Sequence, residues 1–599
     1  MLLKFFSMRR IFTALLLSML AAAPIAGQAT EQPQTTTAST PAADTLQVLT
    51  DEYFDKYFFP ENPSLATLDG IHTYDDRLED YSKAAIKNKI TTLKQFETRV
   101  AAVKPDGLTL FQQGDRDLVL NNIRSQLLTL ENIRPWEKNP DFYSSGIANS
   151  AFVIMERKFA PADDRVRVLI AREKLMPAAL QTARQNLKNP PKIYTQIALE
   201  QLPGLVNFFQ KDVPLAFADV RDPALKKQFA ASNAAVIKSL LSYQIWLKKN
   251  VLPHANGDFR IGADAFKKKL MYDEMVDLSL DKLIDIDMTN MRANQNEFAR
   301  IAKELDPAKT PQQILKELTQ NHPHANKLLD SFGVTFDDLI KFIKDKEIIT
   351  IPSDVRPILE PTPPFMTATT FASMDTPGPF EAAAKEAYFN VTLPDPKWSK
   401  AKTNDFMTLF SYPLISNIST HETYPGHYVQ FLWMHDVNDR VRKILGANTN
   451  AEGWAHYCEQ MMLDEGFRQP GQGAKNESDA KMYRLGQLQN ALLRNARFVV
   501  GIKMHTGQMT FEQAVDFFVN EGYQSRTVGT IETKRGTMDP TYLYYTLGKL
   551  QIMKLREDMK TKLGDAFNLK QFHDDFMREG YPPIKIVRKA MLQDDSPTL

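Results

Sequence analysis

The chain has 599 residues, 73 basic against 72 acidic side chains, and a net charge of +1. That balance gives no electrostatic footprint for nucleic acid or an anionic membrane, and the single cysteine, Cys458, excludes an intrachain disulfide. With 43% hydrophobic and 24% charged residues the composition is globular, so a large apolar core must stabilise the chain, as about two to four domains or one two-lobed unit.

Lys4, Arg9 and Arg10 precede an apolar run at 11–23, and small residues follow with a cleavage point near 27–29. This is a secretory signal pattern over residues 1–29. The run is shorter than the ~20 residues a spanning helix needs. No cysteine lies near the cleavage point, which excludes lipid attachment there. No later segment stays apolar for long enough to span a bilayer. The expectation is an exported chain, periplasmic or secreted, with no membrane contact after cleavage. Residues 30–45, rich in Thr, Ala, Pro and Gln, are expected to form a disordered tether.

From 46 onward helical periodicity dominates, at 46–58, 82–103, 115–131, 165–187 and 229–249. Asp115 precedes Leu118, Val119, Asn122, Ile123 and Leu127, a stripe that should face a core. Asn139-Pro140 and Asn189-Pro190-Pro191 interrupt the helices. There is no fixed-period repeat. Between 348 and 395 the character changes. Segments 348–352, 365–371 and 388–393 are short, β-branched or aromatic and bounded by prolines, and predict strands of a small sheet. Thr376-Pro377-Gly378-Pro379 predicts a turn. Helices resume around 421 and at 451–465, 478–503, 510–520 and 542–563. The expected organisation is a helical lobe at 46–347 and a catalytic lobe at 348–599, both parts of one structural unit.

The stretch His421-Glu422-Thr423-Tyr424-Pro425-Gly426-His427, followed by Glu452-Gly453-Trp454-Ala455-His456-Tyr457, carries the chemistry. Two histidines, a glutamate beside the first and a later glutamate are the parts of a hydrolytic zinc site. Zincin histidines sit four apart on one helical face, whereas these are six apart. A regular helix turns ~600° in six residues, leaving the rings ~120° from each other. Pro425 would lose the bond to the carbonyl of His421 and clash with it, and Gly426 frees the backbone. A local bulge is expected to turn His427 back toward His421. Glu422 stands where a zincin carries its general base, which moves a proton from water to the leaving amine. Glu452 is the candidate third ligand, on a following helix. Glu452, His456 and Glu459 share one helical stripe. His456 and Glu459 are expected to orient ligands, with His456 the alternative third ligand. One zinc ion per chain is the cofactor this pattern calls for.

These motifs resemble the bacterial family catalogued as domain of unknown function 885, itself similar to zinc peptidases of the gluzincin type, whose ligands are two His and one Glu. The resemblance covers nearly the whole mature chain. It includes Pro135-Trp136, Asn139-Pro140, Phe259-Arg260-Ile261-Gly262-Ala263, Glu532-x-x-Arg535, Tyr545-x-x-Gly548-Lys549 and Leu555-Arg556. It implies a mainly α, two-lobed zincin-like fold with a cleft and a small β-sheet near residues 348–395. Helical zinc carboxypeptidases and dipeptidases are the implied comparison, rather than endopeptidases. His421, His427 and Glu452 are the implied ligands and Glu422 the implied base. The chain departs from the family at two positions. Tyr428 stands where many members carry a second histidine, and Gly501 where members often carry an acid.

Amide hydrolysis needs a donor for the developing oxyanion. Tyr545 and His505, which the resemblance places near the cleft, are the candidates. Arg535 and Arg497, with Arg494, Arg526 and Lys549, could bind a peptide's terminal carboxylate through charge-assisted bonds. Cys458, two residues from His456 and off its helical face, reads as a packed thiol. The combined expectation is an exported zinc peptidase acting on short peptides, with no nucleic-acid partner. A metal-containing peptide-binding protein without turnover, or an amidase or esterase on non-peptide substrates, is the alternative. A binding protein has no need of a base at Glu422.

Overall fold

Thr40 accepts the N–H of Ala43 at 3.2 Å and starts helix α1, Pro41–Tyr53, with Pro41 at the first helical position. The computed structural model describes residues 40–362 and 371–599. The expected signal at 1–29 lies outside those residues, as does most of the expected tether. Residues 41–45 correct the tether boundary, because they are the first turns of α1. Ala43, Leu46, Leu49 and Tyr53 give that helix a buried stripe, which composition alone hides behind Thr and Pro.

The periodic segments are helices with identifiable starts. Ser82 caps α2, Lys83–Ala102, and Thr109 with Gln112 forms a capping box for α3, Leu110–Leu128. Leu118, Val119, Ile123 and Leu127 of α3 are buried, as the stripe predicts. Asn139 caps α4, Pro140–Glu156, so the Asn-Pro pair both breaks the chain and begins the next helix. Helices α5, Ala162–Asn186, and α6, Pro223–Trp246, match their periodic segments within a turn or so. The fold is mainly α.

Among the described residues the sheet has three strands, β1 Ile358–Pro361, β2 Ala372–Asp375 and β3 Tyr388–Val391. β3 is central, parallel to β1 and antiparallel to β2. All four of its residues are buried. It coincides with the predicted strand at 388–393. The predicted strand at 365–371 lies outside the described residues except for Phe371, which precedes β2. The predicted strand at 348–352 is corrected: this stretch is irregular. Ile348 and Ile349 are buried by helix packing instead, and Thr350 is tied to Asp574 by its N–H and hydroxyl at 2.8 and 2.7 Å. An apolar β-branched run reports burial, and here helices bury it.

The sheet backs the chain around His421. Phe389 of β3 packs on Phe332 and Phe336 at 5.2 Å each, and Phe336 meets Tyr424 at 6.1 Å. The site itself is carried by α7 Tyr412–Glu422, α8 His427–Met434, α9 Asn448–Asp464, α10 Glu477–His505, α11 Arg526–Met538 and α12 Tyr544–Leu563. Helices α9 and α12 cross with backbones in contact. A Cβ at Gly453 would stand 2.6 Å from Cα of Gly548, and one at Gly548 would stand 1.9 Å from the carbonyl oxygen of Thr449. Among the described residues no helix is long and apolar enough to cross a membrane.

Candidate metal centre

Helix α7 ends at Glu422, and α8 begins at His427. In place of the expected bulge inside one helix, the chain breaks completely over 423–426. Pro425 has no N–H to continue the ladder. The N–H groups of Thr423 and Tyr424 both reach Ser419 O, at 2.8 and 3.2 Å, and that of Gly426 reaches Thr420 O at 3.1 Å. The Tyr424–Pro425 peptide is cis. Glycine at 426 is required by close approach, since a Cβ there would lie 1.9 Å from His421 O. The indole N–H of the fully buried Trp454 donates to Pro425 O at 2.9 Å. The aromatic in the second motif therefore ties α9 to the break.

The break brings the two imidazoles together. Their ring centroids are 4.8 Å apart with planes at 86°. Nε2 of His421 and Nε2 of His427 lie 3.3 and 3.5 Å from Oε2 of Glu452. One donor atom from each of the three residues falls within 4.8 Å of the others. Oε2 of Glu452 is buried and makes no hydrogen bond. Such an orphan costs free energy unless something positive meets it. Burial disfavours charge on these groups. Contacts with Glu452 and Glu459 nonetheless lift His421 to about 9, and contacts with both histidines hold Glu452 well below the usual carboxylate range. Two imidazole nitrogens and one carboxylate oxygen, all turned on one point, can hold a metal ion. His456 is not part of this group.

Glu459 orients the ring of His421. Its Oε1 lies 2.7 Å from Nδ1 of His421, so that with a metal at the triad Nδ1 would donate its proton to Glu459 and Nε2 would turn its lone pair to the ion. Arg494 of α10 grips both oxygens of Glu459, at 2.8 and 3.1 Å. Burial would raise the Glu459 carboxyl, but the charge of Arg494 leads the influences that hold it well below its usual range. His456 touches the same carboxylate at 3.3 Å, and burial pushes its imidazole down to about 3. Spacing pointed to Glu459 and His456 but not to Arg494 as the clamp. A single arginine 35 positions further along carries no local signal of this contact.

Glu422, the last residue of α7, is half-buried and has no hydrogen bond or ion pair among the described residues. Tyr545 stands near the start of α12, three residues before Gly548, while Glu452 precedes Gly453. The two residues therefore flank the Gly453–Gly548 contact. The Tyr545 hydroxyl receives a hydrogen bond from Nη2 of Arg535 at 3.4 Å, which leaves its own proton free to donate. Burial raises this phenol, with the Glu452 carboxylate the next largest influence.

His505 is not brought to the triad as an available donor. It is fully buried, its Nε2 donates to Gly536 O at 2.7 Å, and its Nδ1 accepts the Ile261 N–H at 3.4 Å. Both nitrogens are committed to the backbone, so this corrects the oxyanion expectation for His505. Arg497 is likewise paired, through Nε and Nη2, to Glu532 at 2.7 and 2.8 Å. Arg526 pairs on the surface with Glu512 and Asp516. Lys549 is fully buried with an unpartnered Nζ, and burial lowers it to about 8. Tyr428 packs inward and donates to Val355 O at 2.8 Å. Gly501 is crowded by Pro540 O, 2.8 Å from its would-be Cβ, so an acid there would need the neighbouring segment to move. Cys458 is buried, as expected.

The family described as "Bacterial protein of unknown function (DUF885)" matches residues 63–591. The chain is a member of the DUF885 family. No curated protein matches it. Two solved structures are similar to this DUF885 chain. One is described as "a putative lipoprotein of unknown function from Shewanella oneidensis", with 25% identity, a TM-score of 0.77, and coverage of 92% of this chain and 100% of the other. The other, a "putative lipoprotein from Colwellia psychrerythraea", has 18% identity and the same TM-score of 0.77, over 92% and 99% of the two chains. The second likeness is one of fold alone. The fold of this DUF885 chain is thus shared over 92% of its length.

Proposed function

We propose that this DUF885 chain is an exported zinc-dependent peptidase that hydrolyses short peptides, similar in its chemistry to gluzincins. The observation that carries the reading is the convergence of His421, His427 and an orphaned Glu452 oxygen, with Glu422, unpartnered among the described residues, next to His421 in sequence. A zinc ion held by the three residues would polarise the scissile carbonyl and lower the pKa of water toward ~7. Glu422 takes the proton of the attacking water and hands it to the leaving amine. Tyr545 donates its hydroxyl proton toward the developing oxyanion. Glu459, held by Arg494, keeps His421 in the ligating tautomer. The signal pattern at 1–29 supports export, as does the description of the two similar proteins as putative lipoproteins.

The test combines metal analysis with a peptide-library assay on wild type, Glu422→Gln and His421→Ala. Glu422→Gln should keep its zinc and lose ~10²–10⁴-fold in cleavage. His421→Ala should lose both. Unchanged cleavage by the first variant overturns the base assignment, and full zinc occupancy in the second overturns the ligand set.

A further inference from the structure

Three guanidinium groups surround the Tyr545 ring. Those of Arg497, Arg494 and Arg535 lie 5.0, 5.4 and 5.8 Å from its centroid. Two are already committed, Arg497 to Glu532 through two parallel bonds and Arg494 to Glu459 beneath His421. Arg535 is different. It is 7% exposed, and every bond it makes runs through Nη2: to Tyr544 Oη at 3.1 Å, Asp539 Oδ2 at 3.3 Å and Tyr545 Oη at 3.4 Å. Its Nε and Nη1 are buried without a hydrogen bond.

A buried cation with idle N–H groups is costly, because their hydration is lost and nothing replaces it. The group that best meets a guanidinium is a carboxylate. Asp539 does not fill that role. It reaches Arg535 at a single nitrogen and shares the same oxygen with the Tyr544 hydroxyl at 3.1 Å. It steers the guanidinium and leaves the remaining donors unused. The position also has meaning. Arg535 touches Tyr545, and Tyr545 and Glu452 flank the glycine contact between α12 and α9.

We infer that Arg535 binds the free α-carboxylate of the substrate's C-terminal residue while the amide to be cleaved lies at the triad. The inference rests on the peptidase reading and narrows it to exo action at a free C-terminus. It also assigns Arg535, rather than Arg497 or Arg494, as the anchor. A C-terminal amide lacks the charge that Arg535 needs, so amidated peptides are rejected.

The experiment titrates N-acetyl-dialanine and its C-terminal amide by calorimetry into zinc-loaded protein carrying Glu422→Gln, which is to bind the probe without cleaving it, with position 535 as wild type, Arg535→Met or Arg535→Lys, and with melting curves to verify folding. The form that keeps Arg535 should bind the acid at least about tenfold more tightly than the amide, Arg535→Met should lose that preference, and Arg535→Lys should keep part of it. Equal binding of acid and amide by the form that keeps Arg535, no binding of either, or a preference that survives in Arg535→Met overturns the anchor. A survival of that kind would mean that the carboxylate sits on the metal. Should Arg535→Met fail to fold, an undiminished preference in Arg535→Lys overturns it equally. Turnover is read separately, on protein that keeps Glu422. Acid binding without cleavage of any peptide sinks the hydrolase reading and keeps the anchor, whereas cleavage without acid preference does the reverse.

Discussion

Glu459 meets His421 at Nδ1, the nitrogen turned away from Glu452, and is itself clamped by Arg494. A glutamine at 459 keeps the size and one acceptor but removes the charge that Arg494 neutralises. Breaking a buried pair of this kind costs ~3–5 kcal/mol. Partners of a ligating histidine also account for ~10–100-fold of metal affinity. Glu459→Gln is therefore expected to bind zinc ~10–100-fold more weakly, read by competition with a chromophoric chelator. Unchanged affinity would mean that His421 is oriented by something else. The donor residues are legible in the sequence because few side chains serve a metal and these lie in two short motifs. Glu459 is legible too, one turn beyond His456. Arg494 is not, since nothing near it in sequence says that α10 passes behind His421. His505 enters as a candidate through the resemblance, which places it near the cleft. Its partners are backbone groups from remote segments, which only the folded chain displays.

At the level of helices, period and caps locate most elements, because an amphipathic stripe and its capping residue are both local properties. What the sequence hides is how closely elements approach. Gly453 and Gly548 read as mild helix weakeners, yet they form the contact that sets Glu452 against α12. A methyl at 548 would fall 1.9 Å from Thr449 O, a backbone atom that cannot swing aside. Gly548→Ala should thus destabilise by at least ~1–3 kcal/mol, the usual cost of overpacking, and should weaken zinc binding because α9 carries Glu452. Gly146 in α4 provides the control. It is exposed, and a Cβ there meets nothing within 4 Å. Gly146→Ala should be neutral or stabilising by ~0.5–1 kcal/mol through helix propensity. Urea unfolding of both variants checks the pair, and equal effects would refute the contact as the cause. The break at 423–426 is a partly legible case. Proline signals that the ladder stops, but whether a helix bulges or ends depends on which carbonyls capture the freed N–H groups.

Over the whole molecule, the core joins distant parts of the chain. One apolar cluster lies within 86–251, while another draws on Met291, Phe298, Leu488, Val500 and Tyr545 together. Cores of this kind enclose carboxyls that composition counts as surface charge. Glu173 on α5 is fully buried, accepts a bond from the Ser232 hydroxyl at one oxygen and has no partner at the other. Burial lifts it to about 8, and burial also lifts Glu274 to about 7 and Asp141 to about 6. An acid whose folded pKa exceeds its unfolded one holds a proton in the native state that the unfolded chain has released. Its stabilising contribution is complete below the unfolded value near ~4.5 and is lost as pH rises toward the folded value. Each such group lowers stability by at most ~1.4 kcal/mol per pH unit inside its window. For Glu173 that window runs from the ordinary carboxylate range up to about 8. Glu173→Gln removes the ionisation while keeping a polar group beside Ser232. In the presence of a chelator, which takes pH-dependent metal binding out of the comparison, wild-type stability should fall between pH ~5 and ~8 with a slope steeper than the variant's by about one proton. The two should converge near pH ~4.5, and the variant should be the more stable at pH ~8. Urea unfolding across that range decides it: parallel pH profiles would mean that Glu173 is ionised in the folded protein and that its burial is relieved by water.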